Sequence, residues 1–99
     1  MKRPLAISAR AQVDLLEIWL WTHDRFGDAQ ADRYLDELDA GMRMCATRPE
    51  SGKDREAIRP GYRSRLVGKH IVFYTFTDTE VVIQRVLHAS MDVEDRLSD

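Results

Sequence analysis

The spacing of apolar residues changes period once along this chain, between residues 48 and 62, and that change limits the folds open to it. Before it the spacing is helical: in "AQADRYLDELDAGMRMCATR", residues 29–48, Ala31, Tyr34, Leu35, Leu38, Met42 and Cys45 recur at i, i+3, i+4 and i+7. After it, "YRSRLVG", "HIVFYTFT" and "EVVIQRVLH" are rich in β-branched and aromatic residues, with turn signals at Gly68-Lys69 and Asp78-Thr79 between them. Helices followed by a run of strands predict an α+β domain.

Local signals complete the order. "RPLAIS" is a short strand with Pro4 near its start, where a missing N–H is tolerated. Ser8 caps a first helix that runs to about Arg25. Gly27 supplies the left-handed break and Asp28 caps the next helix. A break this short forces an antiparallel helix hairpin. "PESGKDREAIRPG", residues 49–61, is a turn-rich connector. The strand "IVFYTF" is apolar on both faces and so takes a central place in an antiparallel meander. The predicted topology is β-α-α-β-β-β, with the hairpin on one face of a small, mostly antiparallel sheet and no third layer on the other. Residues 1–99 make one domain, in which residues 89–99 are an acidic tail that forms a helical turn or frays.

The first helix carries more apolar surface than one buried face needs. In "VDLLEIWLWTHDRF", Leu15, Ile18, Trp19, Thr22 and Phe26 form one stripe, and Val13, Leu16 and Leu20 form a second lobe beside it. Asp14, Glu17, Asp24 and Arg25 are left a polar sector of about 100°. The lobe either meets a partner or lies beneath residues 49–58 of the same chain.

Charge is unevenly placed. The net charge is −2, which argues against general nucleic-acid binding, yet residues 53–70 hold Lys53, Arg55, Arg59, Arg63, Arg65 and Lys69 against Asp54 and Glu56. Alternation along "YRSRLV" puts Arg63 and Arg65 on one face of their strand. Such a strip is a solvated face or a docking surface for an acidic partner or a phosphate backbone. No apolar run approaches the roughly 18 residues of a membrane span. One cysteine, Cys45, suits a reducing compartment, so a cytoplasmic protein is expected, with Cys45 in the core.

Few residues offer chemistry. His23, His70 and His88 show no metal-ligand spacing among themselves or with Cys45, the glycines are spread singly, and no metal or cofactor is expected. General acid–base cleavage of RNA would draw on His88 with Arg59, Arg63, Arg65 and Arg85.

Six marks then occur in order: "DLLEIW", "ADRYLDEL", "RPESG", "IRPGYR", "VFY" and "RVLH". Through them the chain resembles the ParE toxins of bacterial type II toxin–antitoxin modules, in the wider RelE/ParE superfamily, over roughly residues 5–92. The resemblance implies a toxin that poisons DNA gyrase by trapping its cleaved-DNA intermediate. It acts by binding, without catalysis. It also implies a dimeric, DNA-binding ParD-type antitoxin that wraps the toxin with an amphipathic segment in a heterotetramer or larger complex, touching DNA only through antitoxin or gyrase. Val13, Leu16, Leu20, Arg59, Arg63 and Arg65 are then expected to meet the antitoxin. Lys69, Arg85, His88 and Met91 are expected to face the target, with Arg85 either joining the strip or pairing internally with a carboxylate. The RNA-cleaving branch that resembles RelE carries basic and aromatic residues at the end of its last strand, where this chain reads "HASMDVEDRLSD". That acidic tail would repel a phosphate backbone. Many ParE-like chains have a basic residue where Met91 stands.

Overall fold

The computed structural model describes residues 3–91 and Leu97. Strand β1 (Leu5–Ile7) leads into helix α1 (Ala9–Phe26), helix α2 (Asp28–Thr47) and a 3-10 turn at Pro49–Ser51. Strands β2 (Lys53–Asp54), β3 (Arg63–Val67), β4 (His70–Phe76) and β5 (Val81–His88) follow. They form one sheet in the order β1-β5-β4-β3-β2, antiparallel except where β1 pairs with β5. The doubly apolar β4 is central, as its composition requires.

The hairpin is set by two local devices. Ser8 Oγ accepts the Ala11 amide at 3.0 Å and starts α1. Gly27, at φ +87°, ends α1 and opens α2 without an intervening loop, a backbone state that glycine adopts without steric cost. Asp28 does not cap α2. It lies in the first turn, and its carboxylate meets His23 Nε2 at 2.8 Å. Gly41 lets α2 approach β3 closely: a Cβ there would run into the Val67 side chain.

The hairpin covers one sheet face. Leu38, Met42, Cys45 and Ala46 of α2 and Ala11 of α1 bury Val72, Tyr74, Val81, Ile83 and Val86. Two expectations are corrected here. Residues 49–61 contain β2, which pairs Lys53 with Ser64 and Asp54 with Arg63. The opposite face is not bare: Phe73 and Leu87 pack with Leu97, and with Ile58 and Tyr62 of the connector. Apolar side chains on the second face of β4 need cover, and the chain supplies it from the connector and from Leu97. Apart from Leu97, the expectation of a helical turn or frayed end over residues 92–99 lies outside the described residues.

Among the described residues, β5 has no strand on its outer side beyond Ile7, and α1 serves instead. The Ser8 amide donates to the Ile83 carbonyl and Ser8 Oγ to the Gln84 carbonyl, both at 2.9 Å. Asp14 accepts the Val86 amide at 2.9 Å. An open strand edge is thus capped by helix side chains.

Candidate functional site

Ala11, Asp14 and Thr22 point α1 inward, and Leu15 and Ile18 pack against the core. The second lobe faces away from it: Val13, Leu16 and Leu20 are 50%, 58% and 46% exposed. Glu17 and Asp24 follow Val13 and Leu20 by one helical turn and give the stripe an acidic border. Residues 49–58 do not cover it, since Pro49–Ser51 packs at the end of α2 and Ile58 on the far sheet face. Phe26, expected in the buried stripe, is exposed beside the hairpin turn, its ring edge against Trp21.

The expected basic strip separates into parts. Arg63 and Arg65 share the hairpin side of β3 with Val67 and reach back to their own connector. Arg63 Nη1 donates to the Gly52 carbonyl at 2.9 Å and Arg65 Nη1 to Ser51 Oγ at 3.2 Å. Arg59 lies on the other sheet face, donating to the Leu97 carbonyl with its guanidinium 5.8 Å from the Tyr62 ring centre. These arginines stand away from the α1 stripe, because α1 packs on α2 and β5 while α2 covers β3. Lys69, His88 and Met91 do gather at one end of the sheet, where Lys69 O accepts the Ala89 amide and His88 O the Met91 amide.

Arg85 is elsewhere. Its Nε and Nη2 donate to the two oxygens of Asp14, at 2.8 and 3.1 Å, and the residues are 9% and 8% exposed. The internal pairing is the alternative realised, and Asp14 moves from the expected solvent sector into the interior. A charge inside an alternating apolar strand, Val81-Ile83-Arg85-Leu87, is the sequence signal that a counter-charge had to be found.

The residue missed most clearly is His70. It faces His88 directly across β4 and β5, ring centres 5.2 Å apart, and its Nδ1 lies 2.5 Å from the Tyr34 hydroxyl. That hydroxyl also accepts the Lys69 amide at 3.0 Å. Burial first, and the His88 charge second, push the His70 pKa down from 6.5 to about 4. Burial also raises the Tyr34 phenol. His88 Nδ1 accepts the Ser90 amide at 3.1 Å, which places the proton of a neutral ring on Nε2. At neutral pH His70 is an uncharged imidazole and Tyr34 a protonated phenol. Arg59, Arg63, Arg65 and Arg85 direct their guanidinium groups to the partners named above. The cations that RNA cleavage would aim at a phosphate beside His88 are therefore engaged at other points of the fold.

Because folded His70 resists protonation, its contribution to stability is complete above pH 6.5, the ordinary value, and is lost as pH falls from there towards 4. The wild type is expected to lose stability more steeply across that window than His70→Gln, which has no proton to take up. Urea midpoints at pH 7.5, 6 and 5 give the slopes, and equal slopes would refute it.

Among the described residues no group of three or more His, Cys, Asp or Glu is placed to hold a metal ion, and no helix is long and apolar enough to cross a membrane. Comparison with known proteins gives a consistent result. Residues 5–93 match the family model described as ParE toxin of type II toxin-antitoxin system, parDE. Toxin ParE1 of Mycobacterium tuberculosis is 42% identical over 92 residues, covering 92% of this chain and 94% of that protein. Toxin ParE1 of Caulobacter vibrioides is 41% identical over 95 residues, 96% of this chain and 98% of that one. Toxin ParE of Escherichia coli is 31% identical, covering 94% of this chain and 91% of that one. In structure, a chain of the chromosomal ParDE TA system from P. aeruginosa superposes with a TM-score of 0.77 over 88% of this chain and 96% of its own, at 17% identity, which speaks for the fold alone. With its fold, its length and these relatives in agreement, the chain belongs to the ParE toxin family of type II toxin–antitoxin systems.

Proposed function

We propose that the chain acts in the cytoplasm by binding DNA gyrase and stabilising its cleaved-DNA complex, and that a ParD-type antitoxin neutralises it by laying an amphipathic segment along α1. The carrying observation for the antitoxin is the stripe of Val13, Leu16 and Leu20, three large apolar side chains left about half exposed on a helix whose other side is already buried. An apolar helix face bordered by Glu17 and Asp24 suits a partner helix with basic flanks. The complex is hetero-oligomeric, a heterotetramer or larger, since such antitoxins dimerise.

The gyrase half of the reading draws on family membership, and action by binding over catalysis is supported by Arg59, Arg63, Arg65 and Arg85, whose hydrogen bonds go to groups other than the His70–His88 pair. Lys69, His88 and Met91 at the sheet end are the proposed target-facing group. The test is supercoiling by purified gyrase with the chain titrated in, scored for linear DNA after detergent and protease. Linear DNA that accumulates and disappears on adding the antitoxin is the expected result. Unchanged supercoiling with a folded chain would overturn the gyrase assignment, and cleavage of ribosome-bound mRNA, with His88→Ala as control, would then be measured.

A further inference from the structure

Two histidines face each other at one end of the sheet. His70 opens β4, His88 closes β5, and the two are directly paired across the ladder. Beside them the Ala89 amide donates to the Lys69 carbonyl. In an antiparallel ladder the position next to such a bond is a pair that exchanges no backbone bonds, where side chains stand closest. The ring centres are 5.2 Å apart with their planes at 80°.

Each ring is held by its Nδ1. His70 Nδ1 lies 2.5 Å from the Tyr34 hydroxyl, and His88 Nδ1 lies 2.7 Å from Ser90 Oγ. Gly68 makes the first contact possible, since a Cβ there would run into the Tyr34 ring and hydroxyl and into Glu37 Oε2. Among the described residues no hydrogen bond uses either Nε2, and no buried side-chain nitrogen lacks a partner. Both Nε2 atoms are therefore open to water. A histidine fixed through one ring nitrogen to an oxygen and open at the other has the form of a metal ligand.

We propose that His70 and His88 together bind one transition-metal ion of the Zn²⁺, Ni²⁺ and Cu²⁺ class through their Nε2 atoms. Two imidazoles at about 2.0–2.1 Å from a tetrahedral ion have ring centres roughly 5 Å apart, which is the separation observed. The planes need not be parallel, because each ring can turn about its own metal–nitrogen bond. Both rings stay neutral on loading, and no proton leaves the site. His70 donates its Nδ1 proton to the Tyr34 oxygen. The His88 proton passes from Nε2 to Nδ1, where Ser90 Oγ accepts it and the Ser90 amide gives up its bond. Glu37, whose carboxylate reaches the same corner, adds negative charge near the ion. Two protein ligands leave the other positions to water or to a group of a bound protein. Imidazole nitrogens select these ions over Mg²⁺ and Ca²⁺, which prefer oxygen. The site requires neither the gyrase nor the antitoxin reading.

Calorimetry on the full chain at pH 7.5, with ZnCl₂ as the probe, tests this. One Zn²⁺ per chain is expected in wild type, and no binding of Mg²⁺. Two ligands on one rigid ladder act bivalently, so His70→Gln and His88→Gln should each weaken binding by about 100-fold or more. His23→Gln, which removes the histidine that meets Asp24 and Asp28, should leave it unchanged. Long-range ¹H–¹⁵N spectra of the loaded wild type should show the ion on Nε2 of both His70 and His88. No binding at submillimolar Zn²⁺ overturns the proposal, as does unchanged affinity in folded His88→Gln or loss of binding in His23→Gln. If His70→Gln does not fold, His88→Gln and the nitrogen shifts of the wild type decide, and an ion found on one ring only overturns the pair.

Discussion

Replacing Asp14 with alanine is expected to cost about 3–5 kcal/mol, a large part of the roughly 5–15 kcal/mol that stabilises a typical domain. The carboxylate receives three donors: Nε and Nη2 of Arg85 and the Val86 amide. Alanine takes the counter-charge from a guanidinium only 9% exposed and the acceptor from a β5 amide that faces α1 instead of a strand. A desolvated group that loses a partner keeps the cost of leaving water and loses the part of the interaction that this partner supplied. For a domain of this size the melting temperature should fall on the order of 15–30 °C. Asp14→Asn, which keeps one oxygen as acceptor, should lie between. The double variant Asp14→Leu with Arg85→Met should recover much of the loss, because removing both charges also removes the cost of burying them. Urea denaturation of the four proteins checks this. A loss below about 1 kcal/mol for Asp14→Ala would match an exposed pair and contradict the buried geometry.

The element order was legible because each element declares itself locally: Ser8 and Gly27 bound α1, and apolar side chains on both faces of β4 place it centrally. The candidate site was legible only in part, and a β-bulge explains much of the remainder. Between Phe73 and Tyr74 the register of β4 on β5 shifts by one, leaving Gln84 as the extra residue. Val81 and Ile83 therefore face the hairpin, and so does Val86, while Arg85 and Leu87 turn to the other side. Regular alternation would have kept Ile83, Arg85 and Leu87 together. The same shift sets His88, instead of Leu87, across from His70 and so builds the His70–His88 pair. Nothing in "VVIQRVLH" marks where the extra residue falls. Asp14 was hidden for another reason: an acid on an amphipathic helix is ordinarily solvated, and its partner lies 71 residues away. Lobe and strip differ in the same way. Val13, Leu16 and Leu20 were placed by helix geometry, which is short-ranged, whereas the partners of Arg59, Arg63 and Arg65 depended on the path of an irregular connector.

Leu16→Asp and Leu20→Asp should each weaken antitoxin binding by about 2–4 kcal/mol, or roughly 30- to 1000-fold, with the fold unchanged. Both side chains are about half exposed in the free protein, so a carboxylate there stays in water and removes no core contact. In the complex it would have to enter an apolar contact already bordered by Glu17 and Asp24, losing hydration and adding like charge. The two effects separate by experiment: melting temperature of the free variant reports the fold, and calorimetric titration with the antitoxin reports the contact. Reduced affinity at an unchanged melting temperature is the expected pair of results. The free variants should also stay soluble at higher concentration, since the stripe is the surface most liable to self-association before the antitoxin covers it. A variant that unfolds would put the stripe in the core, against its exposure. A variant that binds as tightly as wild type would remove the exposed stripe of α1 from the interface.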